Sequence, residues 1–255
     1  RRRHTRLGRW SRGLGDVYKR QGWGADALFV GFKAGDNSGR RGHLDQGSFV
    51  LDARGQRWAL DLGADDEGLP GYDQREGRRW DFYRVRAEGH NTLVIDPGGG
   101  PDQDPRAAAQ MGQLRSFAQG KSIGADLTPL YATRAERVWR WLALLNDDQL
   151  LLHDDVVTRA PATVHWAMHT AAVAEFPGDD GRTVVLRQGD ARLEVSLVQP
   201  ADAAFSVREA RPGPHAPDPP GQAANDGIWK LTVELTEVTE TAIEVRFRPL
   251  PPGPA

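Results

Sequence analysis

Three residues of this chain are spaced so that they could share a metal ion: His43, Asp61 and His90. His43 precedes one predicted strand, Asp61 ends the next, and His90 precedes a third. If the first two strands form a hairpin, the start of one lies beside the end of the other, so His43 and Asp61 become neighbours. Two imidazoles and a carboxylate suit Zn²⁺ and related divalent ions. Mn²⁺ stays open, and Ca²⁺ is disfavoured by two nitrogen ligands. Spacing alone does not decide the matter, because single histidines at strand ends are more often surface or hydrogen-bonded groups.

The elements that must position these residues are short strands. An apolar run at Ala27–Phe32 is followed by Gly47–Asp52, the turn Ala53-Arg54-Gly55, and Arg57–Leu62, a hairpin with a tight glycine-containing loop. Asn91–Ile95 reads as a further strand, broken at once by Pro97-Gly98-Gly99-Gly100-Pro101. Strands are also predicted at 138–144, 149–157, 163–168, 183–187, 192–198, 229–235 and 242–247. One short helix is expected near 104–111, and the Pro- and Gly-rich stretch 211–225 is expected to be a long loop. Strands at such intervals predict an all-β fold, a large antiparallel β-sandwich over residues 22–255.

Composition narrows the classes. With no cysteine among 255 residues, disulfides and thiolate metal sites are excluded. No apolar run is long enough to span a membrane as a helix. The net charge of −2 hides an asymmetry: residues 1–21 carry eight basic side chains and one acidic one, so the rest of the chain carries −9. A basic tail on an acidic body can signal nucleic-acid contact. Here, however, Asp16–Gln21 is similar to translated sequencing-adapter read-through. The first 21 residues are therefore set apart as non-native, or as a disordered arm, and no nucleic-acid partner is expected.

Three motifs, taken together and in order, resemble the heparinase II/III family: Gly42-His43-Leu44-Asp45-Gln46-Gly47-Ser48-Phe49, Arg57-Trp58-Ala59-Leu60-Asp61-Leu62-Gly63 and Gly89-His90-Asn91-Thr92-Leu93. These are polysaccharide lyases with an α/α-toroid followed by a β-sandwich. The resemblance implies that His43, Asp61 and His90 bind zinc. It implies β-elimination on a uronic-acid-containing glycan, an acidic polysaccharide such as a glycosaminoglycan, in a periplasmic or secreted setting. It also implies that a catalytic Tyr, and a residue neutralising the substrate carboxylate, lie in a toroid N-terminal to Gly22. That toroid is not in this sequence, and the chain alone is expected to be inactive.

One departure touches catalysis. Many members carry a second His two residues before the metal His, and here that position is Arg41. A guanidinium stays protonated and cannot act as a base, though it could clamp a substrate carboxylate. Tyr83 is a candidate for proton transfer, with a half-buried structural Tyr as the alternative. Arg84 and His169 are candidates for lining a glycan groove. Asp45 reads as a turn carboxylate or one behind the metal ligands. Arg40, Arg41, Arg75, Arg78, Arg79, Arg84 and Arg86 suggest a basic edge, interrupted by Asp65, Asp66 and Glu67. Two other functions fit the same residues: a non-catalytic glycan-binding or structural sandwich, and a hydrolase using a metal-bound water.

Overall fold

The structure is a computed structural model that describes residues 14–20, 27–39, 41–98, 100–146 and 148–251. The N-terminal residues before Leu14, and Arg40 of the expected basic edge, lie outside the described residues. The first sheet has four antiparallel strands in chain order: β1 (Leu14–Arg20), β2 (Phe29–Gly35), β3 (Phe49–Ala53) and β4 (Gln56–Ala59). Strand β1 falls inside the segment set apart above. It pairs with β2 from Leu14 opposite Gly35 to Arg20 opposite Phe29.

The second sheet has eleven strands: β5 (Leu93–Ile95), β6 (Gln110–Met111), β7 (Arg115–Phe117), β8 (Gly120–Asp126), β9 (Ala135–Leu145), β10 (Gln149–Thr170), β11 (Val173–Glu175), β12 (Thr183–Gln188), β13 (Ala191–Gln199), β14 (Ser206–Glu209) and β15 (Trp229–Leu250). The expectation of an all-β antiparallel sandwich holds. One core runs between the sheets, with Val30, Phe32, Phe49, Leu51 and Trp58 on one side and Leu142, Leu144, Leu150, Val245 and Phe247 on the other. Phe49 meets Phe247 edge-on, with centroids 5.8 Å apart. Burying each ring contributes about 1.5–3 kcal/mol.

Two long strands organise the larger sheet. β10 and β15 pair with each other, and each changes its outer neighbour half-way. β10 lies against β9 up to Thr158 and against β5 from Val164. β15 lies against β14 near its start and β13 near its end. The sequence pattern reads each as two strands, in β10 because Thr158–Ala162 contains Pro161 and loses its alternation. That stretch is instead a bulge, with register shifts between Val157 and Val164, the kind of place where a strand tolerates proline.

The short helix expected near 104–111 is not formed, and every helical turn among the described residues is 3-10. Asp104 Oδ1 accepts the Arg106 amide in a side-chain turn. The backbone then joins β2, with Asn37 N donating to Ala107 O and Ala109 N to Gly35 O. Pairing with a waiting strand edge outweighs the helix preference of Ala107, Ala108 and Ala109.

A buried ion pair ties the sheets to the loops between them. Arg140 of β9 and Asp154 of β10 face each other across the ladder and are both fully buried. Arg140 Nε and Nη2 donate to the two Asp154 oxygens at 2.6 and 2.8 Å. Its Nη1 donates to Gly47 O at 2.7 Å and Asn91 O at 2.9 Å. Asp154→Ala strands the guanidinium in the core and should cost about 3–5 kcal/mol in urea unfolding. The double change Arg140→Met with Asp154→Leu should recover only part of that loss: no buried charge remains, but Gly47 O and Asn91 O lose their donor.

Candidate metal centre

His43 and Asp45 flank Leu44, which is fully buried in a small core with Tyr72, Trp80, Phe82 and Val85. Leu44 N also donates to Val85 O at 2.9 Å. Anchoring this residue on both backbone and side chain fixes its two neighbours. The loop closes at Gly47, whose φ is +83°. A Cβ there would sit 2.6 Å from Leu127 Cδ1 and 2.8 Å from Thr92 Oγ1, so only glycine fits.

His90 arrives from the other direction, after three 3-10 turns at Arg78–Asp81, Tyr83–Val85 and Ala87–Gly89. These turns leave little room: a Cβ on Gly89 would lie 2.2 Å from Tyr83 O. Asp61 follows β4, and its Oδ1 accepts the Gly63 amide at 2.8 Å. Asn91 then joins the parts. Its Nδ2 donates to Phe49 O and to Leu60 O, beside Asp61, and its Oδ1 accepts the His169 amide at 2.6 Å. Its own amide donates to Ser48 Oγ.

The resulting cluster holds three converging residues, and Asp61, expected from the sequence as a ligand, stands behind His90 instead. His43, Asp45 and His90 each present a ligand atom, and these atoms all lie within 4.8 Å of one another. The His43 and His90 rings are 5.3 Å apart. Asp61 Oδ2 lies 2.8 Å from His90 Nδ1. Lys33 Nζ donates to Asp45 Oδ2 at 2.6 Å. Lys33, Asp45, Ser48 and Asp61 line a cleft of about 260 Å³ that opens beside the cluster.

Electrostatics separate the two histidines. Burial and the neighbouring His90 push His43 down to about 4, so it is a neutral nitrogen donor at neutral pH. Burial also opposes charge on His90, but the Asp61 carboxylate overrides it and raises the pKa. Burial opposes charge on Asp61 too, and His90 reverses this and holds the carboxyl well below its ordinary range. His90 is 1 % exposed, yet its Nε2 has no hydrogen-bond partner. An unsatisfied buried nitrogen beside two further donors is costly unless something fills the place. The residues therefore fit a divalent metal.

The other candidates lie elsewhere. The Arg41 side chain is 82 % exposed and pairs with Glu67 at 3.4 Å. Arg84 is engaged by Asn225 Oδ1 through Nε and Nη2 and reaches Ala64 O. Tyr83 and His169 are both buried, with Tyr83 Oη 2.7 Å from His169 Nε2. Asn91 Oδ1 lies 3.1 Å from His169 Nδ1, which makes Nδ1 the donor and leaves Nε2 to accept from the tyrosine. Burial raises the Tyr83 pKa and lowers that of His169, keeping both neutral. The sequence reading did not place Asp45 among the donors, although its spacing of two from His43 was a signal. It also missed Asn91 and Lys33, whose roles come only from tertiary contacts.

Comparison with known proteins agrees with this architecture. No curated protein matches the sequence. Among solved structures, heparan sulfate lyase HepC from Pedobacter heparinus superposes with a TM-score of 0.73 at 15% identity, over 94% of this chain and 36% of that one. The heparinase III BT4657 gene product gives a TM-score of 0.71 at 15% identity, over 92% and 35%. This chain thus spans about a third of the length of those proteins, and at such identity the likeness is one of fold. The family model described as heparinase II/III-like, C-terminal matches residues 17–234. The chain belongs to the heparinase II/III-like C-terminal family.

Proposed function

We propose that this chain is the sandwich part of a polysaccharide lyase that cleaves uronic-acid-containing glycans by β-elimination, in a periplasmic or secreted setting, and that its metal centre braces the sandwich. Family membership and the fold shared with heparan sulfate lyases support the lyase reading. The observation that carries the metal reading is His90, buried with Nδ1 on Asp61 and Nε2 without a partner beside His43 and Asp45.

His43, Asp45 and His90 would hold the ion, most simply zinc, with Asp61 on His90 Nδ1 fixing the ring that presents Nε2. The ion would supply positive charge that joins two separate segments of chain, with Asp61 tied in through His90. The residues around it are built for rigidity: Asn91, Leu44 and the two required glycines hold the donors in place without touching the cleft.

In β-elimination a base removes the proton at C5, beside the carboxylate, and the 4-linked oxygen leaves with help from an acid. The developing charge must be neutralised by nearby donors. Tyr83 and His169 are turned toward each other inside the protein, so they support the site's scaffold. We assign the proton transfers to the toroid part of the larger protein. Arg41, two residues before His43, is paired among the described residues through an exposed ion pair of little strength with Glu67, and can meet a substrate carboxylate.

Metal analysis should find a divalent ion in the purified chain, and chelation should lower its melting temperature. His90→Ala should abolish metal uptake, and Asp45→Asn should weaken it about 10–100-fold. A chain that takes up no zinc and melts unchanged with chelator would sink the metal reading.

In the larger protein, uronate glycans should give the ultraviolet absorbance of an unsaturated product. Arg41→Ala should raise KM more than it lowers kcat, and unchanged kinetics would remove the clamp role. Products without the double bond, together with activity lost on chelation, would favour a metal-dependent hydrolase. Binding without turnover would favour a glycan-binding sandwich.

A further inference from the structure

A second cleft, of about 650 Å³, shares no lining residue with the one beside the metal centre. Its floor is one face of the larger sheet. Val94 of β5, His165 of β10 and Glu234 of β15 stand in one cross-strand row, and Ala167 stands opposite Thr232 in the next. Lys230, two residues further back on β15, completes the floor. The alternate residues Trp166, Leu231 and Val233 point the other way, into the core.

The roof is the Pro-rich loop that the sequence singles out and the metal centre does not use. Pro212–Ala216 lie over the cleft, and the loop is pinned. Gly213 N donates to Glu88 Oε1 at 2.7 Å, and Lys230 Nζ bonds the same oxygen at 3.2 Å. Further along, Ala223 N donates to Asp65, and Gln222 Oε1 accepts the Tyr83 amide.

Charge defines what the cleft would accept. Glu88 is 8 % exposed and committed to the protein, with Oε1 on Gly213 N and Lys230 and the buried Oε2 3.7 Å from Arg86. The lining cations are also already matched: Lys230 by Glu88, Arg208 by Glu234 and Arg211 by Glu209. With Asp96 the lining holds four carboxylates against three Lys or Arg side chains. An acidic ligand would therefore meet excess negative charge, whereas a ligand bringing N–H or O–H donors would meet the lining carboxylates of Asp96, Glu209 and Glu234. Val94, Ala167, Pro97 and Pro212 add apolar surface. Apolar walls with a few converging polar groups suit a ring that has an apolar face and polar edges.

We propose that this cleft is a second carbohydrate site, taking a hexose or hexosamine ring that carries no acid group. It does not depend on the metal centre or on lyase activity. The test is NMR titration of the chain with three probes: glucose, glucosamine and glucuronate. Glucose and glucosamine should shift the amides of Val94, Ala167 and Thr232 saturably, and glucuronate should bind at least about tenfold more weakly.

Ala167→Phe fills the floor and should abolish the shifts. Should that variant fail to fold, Asp96→Asn removes a lining carboxylate at nearly constant shape and should weaken glucosamine more than glucose. The proposal is overturned if none of the probes shifts these residues, if glucuronate binds as tightly as glucosamine, or if the shifts survive Ala167→Phe in a folded variant.

Discussion

The interaction on which the rest depends is the ion pair between Arg140 and Asp154. A guanidinium in a hydrophobic core is tolerated only when its donors are used. Two go to Asp154, in the same sheet, and Nη1 reaches out of the sheet to Gly47 O and Asn91 O. Those two carbonyls belong to the segments that carry Asp45 and His90. The requirement to satisfy one buried cation thus fixes the distance between the sandwich core and the two strips of irregular backbone that form the centre. Tyr131 repeats the device on a smaller scale, donating its hydroxyl to Leu93 O at 2.6 Å.

Asn91 extends that constraint sideways. It has no room to move, at 0 % exposure, and its amide group bonds β3, the residue before Asp61, and the end of β10. A carboxylate here could not donate to Phe49 O and Leu60 O, and an aliphatic residue would leave four partners unpaired. The donor residues and the supporting residues are therefore different in kind. The donors lie at the ends of irregular segments, where approach by an ion is feasible. Arg140 and Asp154, which support them, sit within β9 and β10, where position is set by the ladder.

Much of this was legible in the residues. Ala53-Arg54-Gly55 read as a tight hairpin because the turn needs left-handed backbone, and Arg54 and Gly55 do have φ of 54° and 72°. The strand pattern followed from alternation, the nearness of His43 to Asp61 from the hairpin, and the addition of His90 from the resemblance of the three motifs. What stayed hidden depended on contacts remote in sequence. The 104–111 segment looked helical because its alanines favour a helix locally, and the edge of β2 that claims it lies some seventy residues earlier. Arg84 looked like a free cation because its partner, Asn225, lies 141 residues away. Tyr83 and His169 looked like separate groove residues until the fold set them against each other.

The two 22-residue strands also say how this domain should resist force and proteolysis. Because β10 and β15 run through both halves of the larger sheet, neither half can open without breaking the ladder that the other uses. Their joint opening is nearly global unfolding, so hydrogen exchange along them should be slowest in the molecule. At the other extreme, the sheet ends in β6 and β11, of two and three residues. Edges that short offer little template for another chain to extend. The same layout concentrates durability at the centre of the sheet and leaves its rims poor at recruiting neighbours.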